Sequence, residues 1–241
     1  MIPARLAATR LPEKPLRMLA GRPLIARVWE RVSAMKLADR CVVATDDGRV
    51  AETARDAGAE VVMTSSRCQS GTERVAEVAA QREFAGYDLF VNVQGDEPFI
   101  AAGSVQGAVK AVSDGGFELG TAAVPAGEEV LANPNIVKVV TTDDGRALYF
   151  SRAAIPFPRD PRARANPLQH VGVYAYTRTA LAKWVSLPPH RLELIEKLEQ
   201  LRPLAAGMSF GVTVTEDRPA SGIDTEADLA YANEHWTELS H

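Results

Sequence analysis

Three cations, Arg5, Arg10 and Lys14, lie within ten residues near the start of the chain, separated by small residues and prolines. Their spacing follows neither the period of two of a strand nor the 3.6 of a helix, which predicts a loop. Pro12 and Pro15 fix φ and so lower the entropy cost of ordering this loop. Because Arg offers a planar fork and Lys a point charge to phosphate oxygens, the loop suits a polyphosphate.

Two aspartates follow predicted strands and could hold a hard cation. Asp96 comes after the apolar run 89–93, within a Gln-Gly-Asp-Glu-Pro sequence, and Asp224 comes after a later strand and a glycine. Ligands of open parallel α/β sheets bind at the carboxyl ends of strands, and Mg²⁺ takes one or two carboxylates plus substrate phosphates. The residues alone leave both roles open, because Asp96 also fits a plain turn and Asp224 a helix N-cap.

A polar loop at 69–74 runs into a predicted helix. Ser70 and Gly71 could read the edge of a base by hydrogen bonds, whereas Glu73 could simply cap the helix. No Gly-x-Gly-x-x-Gly or Walker loop follows a predicted strand, which argues against a dehydrogenase and a P-loop kinase.

The composition is that of an ordinary globular protein. The 241 residues are 46% hydrophobic and 24% charged, and the net charge of −4 argues against nucleic acid as the main partner. Cys41 and Cys68 are too few for a disulfide scaffold or a zinc site. No apolar run reaches the roughly 18 residues of a membrane helix, and no secretory signal opens the sequence, so we expect no membrane partner and a cytoplasmic location.

The elements needed to position these side chains can be predicted from the hydrophobic pattern. Up to residue 118, apolar strands alternate with helices, which is typical of a parallel sheet covered on both faces. From residue 119 strand-like segments dominate, and Asp143-Asp144-Gly145 predicts a hairpin turn. The predicted strands are 42–45, 61–63, 89–93, 120–124, 137–140, 147–150, 171–176 and 211–214, and later helices are predicted at 192–202, ended by Pro203, and at 228–236, capped by Thr225.

The chain resembles one known family, the 3-deoxy-manno-octulosonate cytidylyltransferases, also called CMP-Kdo synthetases. The resemblance covers almost the whole chain, as several blocks in the same order. These blocks are 3–5, 10–16, 43–46, 69–74, 91–98, 133–138 with its Asn-Pro-Asn-x-Val-Lys pattern, 149–156, 170–174, 195–202 and 222–225.

The resemblance implies a nucleotidyltransferase fold, a mostly parallel, Rossmann-like sheet with a smaller β-rich lobe used in homodimerisation. It implies transfer of CMP from CTP to 3-deoxy-D-manno-octulosonate (Kdo), giving CMP-Kdo and diphosphate for lipopolysaccharide biosynthesis, although use in a capsule stays open. Mg²⁺, two ions during turnover, is the implied cofactor. Within one domain, residues 1–118 would be the CTP part, 119–210 the sugar-binding and dimerisation part, and 211–241 a return to the core.

The resemblance also assigns residues. The implied catalytic residues are Arg5, Lys14, Asp96 and Asp224, of which Asp96 and Asp224 are the metal ligands. The implied CTP-binding residues are Ala4, Arg5, Arg10, Lys14, Ser70, Gly71 and Arg74, and the implied Kdo-binding residues are Gln94, Arg152, His170, Tyr174, Glu199 and Gln200.

The chain departs from the family pattern at three points. Ala8 stands where the family usually has Ser, and Glu13 stands where it often has Gly, so that Glu13 either points to solvent or weakens CTP binding. The first strand is short, and we expect weak order at residues 1–3. Two rival functions remain open: a cytidylyltransferase for another acidic sugar, and a sugar-nucleotide sensor without catalysis.

Overall fold

In the computed structural model of the protein, the described residues are 1–7, 10–160, 162–217 and 222–240. Their strands are β1 Ile2–Ala4, β2 Met18–Leu19, β3 Arg22–Pro23, β4 Val42–Thr45, β5 Glu60–Met63, β6 Leu89–Val93, β7 Leu119–Pro125, β8 Lys138–Thr141, β9 Ala147–Ser151, β10 Leu168–Thr177 and β11 Phe210–Val214. Their α-helices are α1 Leu24–Ala34, α2 Gly48–Asp56, α3 Gly71–Ala79, α4 Ala102–Ser113, α5 Arg178–Ser186, α6 Arg191–Glu196, α7 Leu201–Ala205, α8 Glu226–Glu234 and α9 Trp236–Leu239. None of the helices in these ranges is long and apolar enough to cross a membrane.

The chain forms two compact units. The first unit contains residues 1–102 and 220–241, and the second contains residues 103–219. β11 belongs to the second unit, because it pairs in parallel with β7.

The first unit is built on a parallel sheet. β4 lies between β1 and β5, with Ile2 opposite Val43 and Val43 opposite Val61. On the other side of β1, the Met1 ammonium donates to Val91 O at 2.7 Å, and Val93 N donates to Met1 O at 3.0 Å, which is the pattern of a parallel neighbour. The expected weak order at residues 1–3 is therefore wrong, because neighbours on both sides hold β1 inside the sheet.

Helices cover both faces of this sheet. Ile2 and Ala4 point into an apolar cluster that contains Leu24 and Val28 of α1 and also side chains of α2 and α8. Pro3 points the opposite way, because a Cβ on Gly71 at the start of α3 would lie 3.1 Å from its Cγ. The doubly covered parallel sheet predicted from the apolar strands is confirmed.

The second unit carries a mainly antiparallel sheet. Its strand order is β11-β7-β10-β8-β9, in which β11 runs parallel to β7, while β7–β10, β10–β8 and β8–β9 are antiparallel pairs. The predicted hairpin joins β8 to β9, where Thr142 N donates to Arg146 O at 2.9 Å and Gly145 has a φ of +84°. Only glycine adopts this left-handed conformation without strain, which explains the turn signal in the sequence.

The predicted helix 192–202 is wrong. The chain instead forms α6 and α7, because Lys197 adopts a left-handed φ of 54° that ends α6. Pro203 does not end a helix either; it lies in the first turn of α7, where no amide hydrogen is needed. Glu193 of α6 binds Arg202 of α7, with 2.8 Å between its Oε2 and the arginine Nε.

Candidate active site

Buried apolar residues hold the cationic loop that follows β1. Leu11 is fully buried in the core of the first unit, and Pro15 is buried within a short 3₁₀ turn at Lys14–Leu16. The loop prediction is confirmed over the described part of this segment. These anchors place the ammonium group of Lys14 in a half-buried position and leave Arg10 exposed.

The ammonium of Lys14 connects the two aspartates predicted to bind metal. Its Nζ lies 2.5 Å from Asp96 Oδ2 and 2.8 Å from Asp224 Oδ1. Arg10 NH2 binds the other oxygen of Asp224 at 2.9 Å. Residues far apart in the sequence therefore meet in one cluster of alternating charge.

The backbone explains why Asp224 reaches Asp96. Ile223 N donates to Asp96 O at 2.9 Å, which ties the two segments together directly before the second aspartate. Asp224 N and Thr225 N both donate to Asp228 Oδ2, and Asp228 N donates to Thr225 Oγ1 at 3.1 Å. Thr225 is thus the N-cap of α8, as predicted, and the side chain of Asp224 stays available for cations.

The charges in this cluster perturb one another. Burial opposes the charge on Lys14, but Asp96 and Asp224 outweigh it and raise the pKa of the ammonium group. Burial also opposes the charge on Asp224, yet Lys14 and Arg10 lower the pKa of its carboxyl group. Burial, together with the charges on Asp96 and Asp224, raises the pKa of the neighbouring Glu97 to about 8. Near neutral pH the carboxyl group of Glu97 is therefore mainly protonated.

The same two carboxylates fit a divalent cation. Both carboxylates bind the same cationic group, the Lys14 ammonium. This ammonium lies where two hard oxygen ligands would hold a metal ion. Across the ranges that the structure covers, no group of three or more His, Cys, Asp or Glu side chains is arranged to hold a metal. Two carboxylates suffice for Mg²⁺, since this ion retains waters and binds substrate phosphates.

Glu13 turns away from the lysine that follows it. Its Oε1 binds Arg49 NH1 at 2.8 Å, and both side chains are exposed. Its φ of 54° lies in the left-handed region that favours glycine. Ala8, the other departure, lies outside the described residues.

Glycines allow three segments to approach closely near the end of β1. A Cβ on Gly95 would lie 2.6 Å from Pro3 O, and a Cβ on Gly71 would lie 3.3 Å from Gln94 Oε1. Ser70 caps α3 by accepting from Glu73 N at 3.2 Å. Gly95 therefore lets its backbone approach β1 closely, and Gln94 lies near the residues expected to read a base.

The remaining residues expected to bind CTP differ in exposure. Ala4 is buried in β1, whereas Arg5 is exposed and its NH1 lies 3.4 Å from Gln69 O. Arg74 is only 3% exposed; it donates to Thr64 Oγ1 and lies 3.2 Å from Asp46 Oδ1. Any contact between Arg74 and CTP would have to compete with this buried ion pair.

In the second unit, Arg152 presents a guanidinium group bound only to neutral oxygens. Its Nε donates to Glu196 O at 2.8 Å, and its NH1 donates to Pro134 O at 3.0 Å. Within the described ranges it forms no ion pair. An oriented but uncompensated guanidinium suits a carboxylate ligand.

His170 is neutral and has a defined tautomer. Thr121 Oγ1 lies 2.6 Å from Val173 O and 2.9 Å from His170 Nε2. Because the hydroxyl donates its one proton to the carbonyl oxygen, Nε2–H must donate to the hydroxyl, which leaves Nδ1 as an acceptor. Burial lowers the pKa of His170 to about 3. A neutral ring with an acceptor at Nδ1 suits a hydroxyl group of a ligand better than a carboxylate.

The other residues expected to bind sugar are mostly buried. Tyr174 is 5% exposed, and its ring centroid lies 5.5 Å from that of His170 and 6.0 Å from that of Trp184. Gln200 is buried with its Nε2 lacking a hydrogen-bond partner within the described residues, whereas Glu199 is half-buried. A buried amide donor without a partner is costly, so Gln200 is well suited to donate to a ligand.

Comparisons with known proteins identify the family. A family model described as cytidylyltransferase matches residues 1–210. A 3-deoxy-manno-octulosonate cytidylyltransferase of Gemmatimonas aurantiaca is 58% identical over 99% of this chain and 94% of that relative, and one of Aliivibrio salmonicida is 45% identical over 95% and 94%. This chain belongs to the 3-deoxy-manno-octulosonate cytidylyltransferase family.

Solved structures agree with this family. A CMP:2-keto-3-deoxy-manno-octonic acid synthetase complexed with CTP matches with a TM-score of 0.89 and 36% identity, over 98% of this chain and 97% of that one. An inositol-1-phosphate CTP transferase from T. maritima matches with a TM-score of 0.64 at 17% identity, over 100% and 96%, which shows a shared fold alone. The resemblance inferred from the sequence is confirmed, as is the nucleotidyltransferase fold.

Sequence reasoning assigned no role to several residues around this family's candidate site. Asp46 lies in a quoted block, but nothing in the sequence indicated that it pairs with Arg74. Lys138 ends the Asn-Pro-Asn-x-Val-Lys block and is fully buried, and Glu196 receives hydrogen bonds from the segment around Arg152. The sequence indicated these residues only because they lie in the blocks that resemble the family. Their partners are mostly backbone groups, which a sequence pattern does not reveal.

Proposed function

We propose that this chain transfers CMP from CTP to Kdo and releases diphosphate. The observation that carries the proposal is the convergence of Lys14, Asp96 and Asp224, together with the Arg10 contact, in a member of this family. This arrangement offers cations for a triphosphate and carboxylates for a metal at the same place. Transfer of a nucleotidyl group requires mainly such positioning and charge neutralisation.

Arg5, Arg10 and Lys14 hold the triphosphate. The half-buried Lys14 has little freedom, so its charge is preorganised to stabilise negative charge that develops on the leaving diphosphate. Arg10 and Arg5 are exposed and offer planar donors to the outer phosphates. Ala4, Ser70 and Gly71 read the cytosine, and Arg74 supports them from within the unit.

Asp96 and Asp224 hold Mg²⁺. When bound, Mg²⁺ neutralises phosphate charge and lowers the pKa of the attacking hydroxyl group, and two ions are expected during turnover. The fold of the chain brings the two carboxylates together.

Kdo binds through Gln94, Arg152, His170, Tyr174, Glu199 and Gln200. Arg152 takes the carboxylate, because its guanidinium group is oriented and carries an uncompensated charge. His170 accepts from a sugar hydroxyl through Nδ1, and Gln200 donates through Nε2. The anomeric hydroxyl then attacks the α-phosphorus in line, a new P–O bond forms, and the bond to the bridging oxygen of diphosphate breaks.

The direct test is release of diphosphate from CTP, Mg²⁺ and Kdo, with UTP and sialic acid as controls. We expect turnover with CTP and Kdo and at most slight turnover in the controls. Turnover with a different acidic sugar alone would contradict Kdo as the substrate. Binding of CTP without turnover under any metal or sugar would indicate a sensor instead of an enzyme.

Asp96→Asn tests the metal assignment. We expect it to abolish formation of CMP-Kdo while the circular dichroism spectrum and the melting temperature stay close to those of the wild type. Near-normal turnover of this variant would contradict the role of Asp96 as a metal ligand.

We also propose that the protein is a cytoplasmic homodimer. The cytoplasm is where CTP is made and used. The second unit exposes large apolar side chains, among them Phe157 at 77% and Ile195 at 73%. α6 buries none of its residues although it contains Leu192, Leu194 and Ile195. A second copy that covers α6 would remove this apolar surface from water.

A further inference from the structure

Lys138 in β8 is fully buried and directs its ammonium group at backbone carbonyls. Its Nζ donates to Asn133 O at 3.0 Å, Ile136 O at 2.7 Å and Arg152 O at 2.6 Å. An ammonium group has three donors, and these contacts use all three. Lys138 forms no ion pair within the ranges that the structure covers. Since a buried charge without a counter-charge is costly, a purely packing role explains this lysine poorly.

Glu196 holds the same segment from its other side. Its Oε1 accepts from Ser151 Oγ at 2.6 Å, and its Oε2 accepts from Arg152 N at 2.9 Å. Its backbone oxygen also accepts from Arg152 Nε. The carboxylate and the carbonyl of one residue therefore fix both the backbone and the side chain of Arg152.

The guanidinium group of Arg152 depends on both supports. Its NH1 donates to Pro134 O, and Pro134 lies between Asn133 and Ile136, whose carbonyls bind Lys138. Lys138 thus fixes the turn that orients NH1, while Glu196 orients Nε. None of these supports places a carboxylate on the guanidinium itself.

The charge balance of this cluster favours an anionic ligand. Lys138 and Arg152 are cationic, and Glu196, which accepts from the backbone N of Arg152, is the single carboxylate that contacts either of them among the described residues. One positive charge therefore remains uncompensated, and the planar donors of Arg152 match the two oxygens of a carboxylate.

We propose that Lys138 and Glu196 are positioning residues that hold Arg152 as a carboxylate clamp for the sugar acid. The proposal deepens the proposed function and rests on it. It assigns to the Asn-Pro-Asn-x-Val-Lys block a role in selecting sugar acids over neutral sugars. Lys138 acts through the turn at 133–136 and touches no substrate itself.

The first test compares Lys138→Gln with Lys183→Gln in the diphosphate-release assay. Lys183 is an exposed lysine of the same unit that binds Glu118 Oε1 at 2.9 Å, so its variant is a matched control. We expect Lys138→Gln to raise KM for Kdo by about tenfold or more, with KM for CTP changed less than about twofold. An unchanged KM for Kdo, or an equal rise of both KM values, would overturn the proposal.

A double-mutant cycle separates positioning from a general loss of structure. If Lys138 acts through Arg152, Lys138→Gln should lower kcat/KM for Kdo by about tenfold alone but less than about twofold in an Arg152→Ala background. Multiplicative losses would contradict the proposal. Should Lys138→Gln fail to fold, the same cycle with Glu196→Gln carries the test, and multiplicative losses there would overturn it equally.

The wild-type protein separates this inference from the proposed function. Absence of turnover with any sugar acid in the wild type would refute the proposed function, and the clamp with it. Normal wild-type turnover with unaffected Lys138→Gln and Glu196→Gln variants would refute the clamp alone.

Discussion

Lys14 is the central charged residue of the candidate site in the first unit. Its ammonium binds Asp96 and Asp224 at once, and the two carboxylates raise its pKa against the effect of burial. A group with a raised folded-state pKa stabilises the fold below its unfolded-state value and loses this effect as the pH rises through the folded one. The lysine therefore remains charged throughout the neutral range.

Lys14→Ala removes this charge, and we expect kcat/KM for CTP to fall by roughly 100-fold or more, because a preorganised cation is lost from the transition state. Steady-state assays with CTP varied at saturating Kdo measure the effect. Lys183→Ala removes an exposed lysine of the second unit and should leave kcat/KM for CTP unchanged. A change confined to the affinity for Kdo would show that Lys14 does not bind the triphosphate.

His170 predicts a specific dependence of stability on pH. Burial lowers its pKa to about 3, whereas the unfolded chain binds this proton near 6.5. Its contribution is complete above pH 6.5 and is lost as the pH falls toward 3, which amounts to about 2 kcal/mol at pH 5. Urea unfolding at pH 7.5 and pH 5.0 should show that His170→Asn loses about 2 kcal/mol less than the wild type. Equal losses would mean that the folded ring is protonated.

At the scale of elements, the sequence predicted those strands and turns that depend on the local pattern of residues. The apolar runs 42–45 and 89–93 coincide with β4 and β6, and the Asp-Asp-Gly turn joins β8 to β9. The break between α6 and α7 could not be predicted, because Leu194, Leu198 and Leu201 keep helical spacing while Lys197 adopts a left-handed conformation. The residue types alone did not indicate that the helix ends at Lys197.

Gly95→Ala tests the close approach between β1 and the segment after β6. The added Cβ would lie 2.6 Å from Pro3 O, so backbone must move, and we expect a loss of about 1–3 kcal/mol of unfolding free energy. Gly48→Ala is the matched control, because a Cβ there meets nothing within 4 Å, and it should be neutral or slightly stabilising. Chemical denaturation measures both, and equal stabilities would contradict the steric argument.

The candidate site was only partly predictable, and the reason is physical. Side chains that end strands, such as Asp96, follow from the rule that ligands bind at carboxyl ends of strands. The contact of Lys14 with both aspartates depends on residues 82 and 210 positions away, which no local pattern encodes. The buried contacts of the Arg74 guanidinium with Asp46 and Thr64 likewise follow from no local pattern.

At the scale of the whole molecule, the exposed face of α6 predicts self-association. Sedimentation equilibrium should give twice the chain mass of 26.0 kDa for the wild type. Ile195→Lys places a charge on that face, so we expect it to shift the protein to monomers. Met63→Lys, at an exposed apolar position of the first unit, is the control and should leave the mass unchanged. A wild-type monomer would refute the homodimer.

The hydrogen bonds at the start of α8 make Asp224 part of a capping motif. Asp228 holds the amides of Asp224 and Thr225, while Leu229 and Ala232 fix the helix in the core. Fraying of this single turn would release Asp224 without global unfolding, so the lifetime of the site is limited by a local opening equilibrium. A ligand that binds Asp224 would stabilise this turn. It must therefore slow the solvent exchange of amide hydrogens that it does not contact.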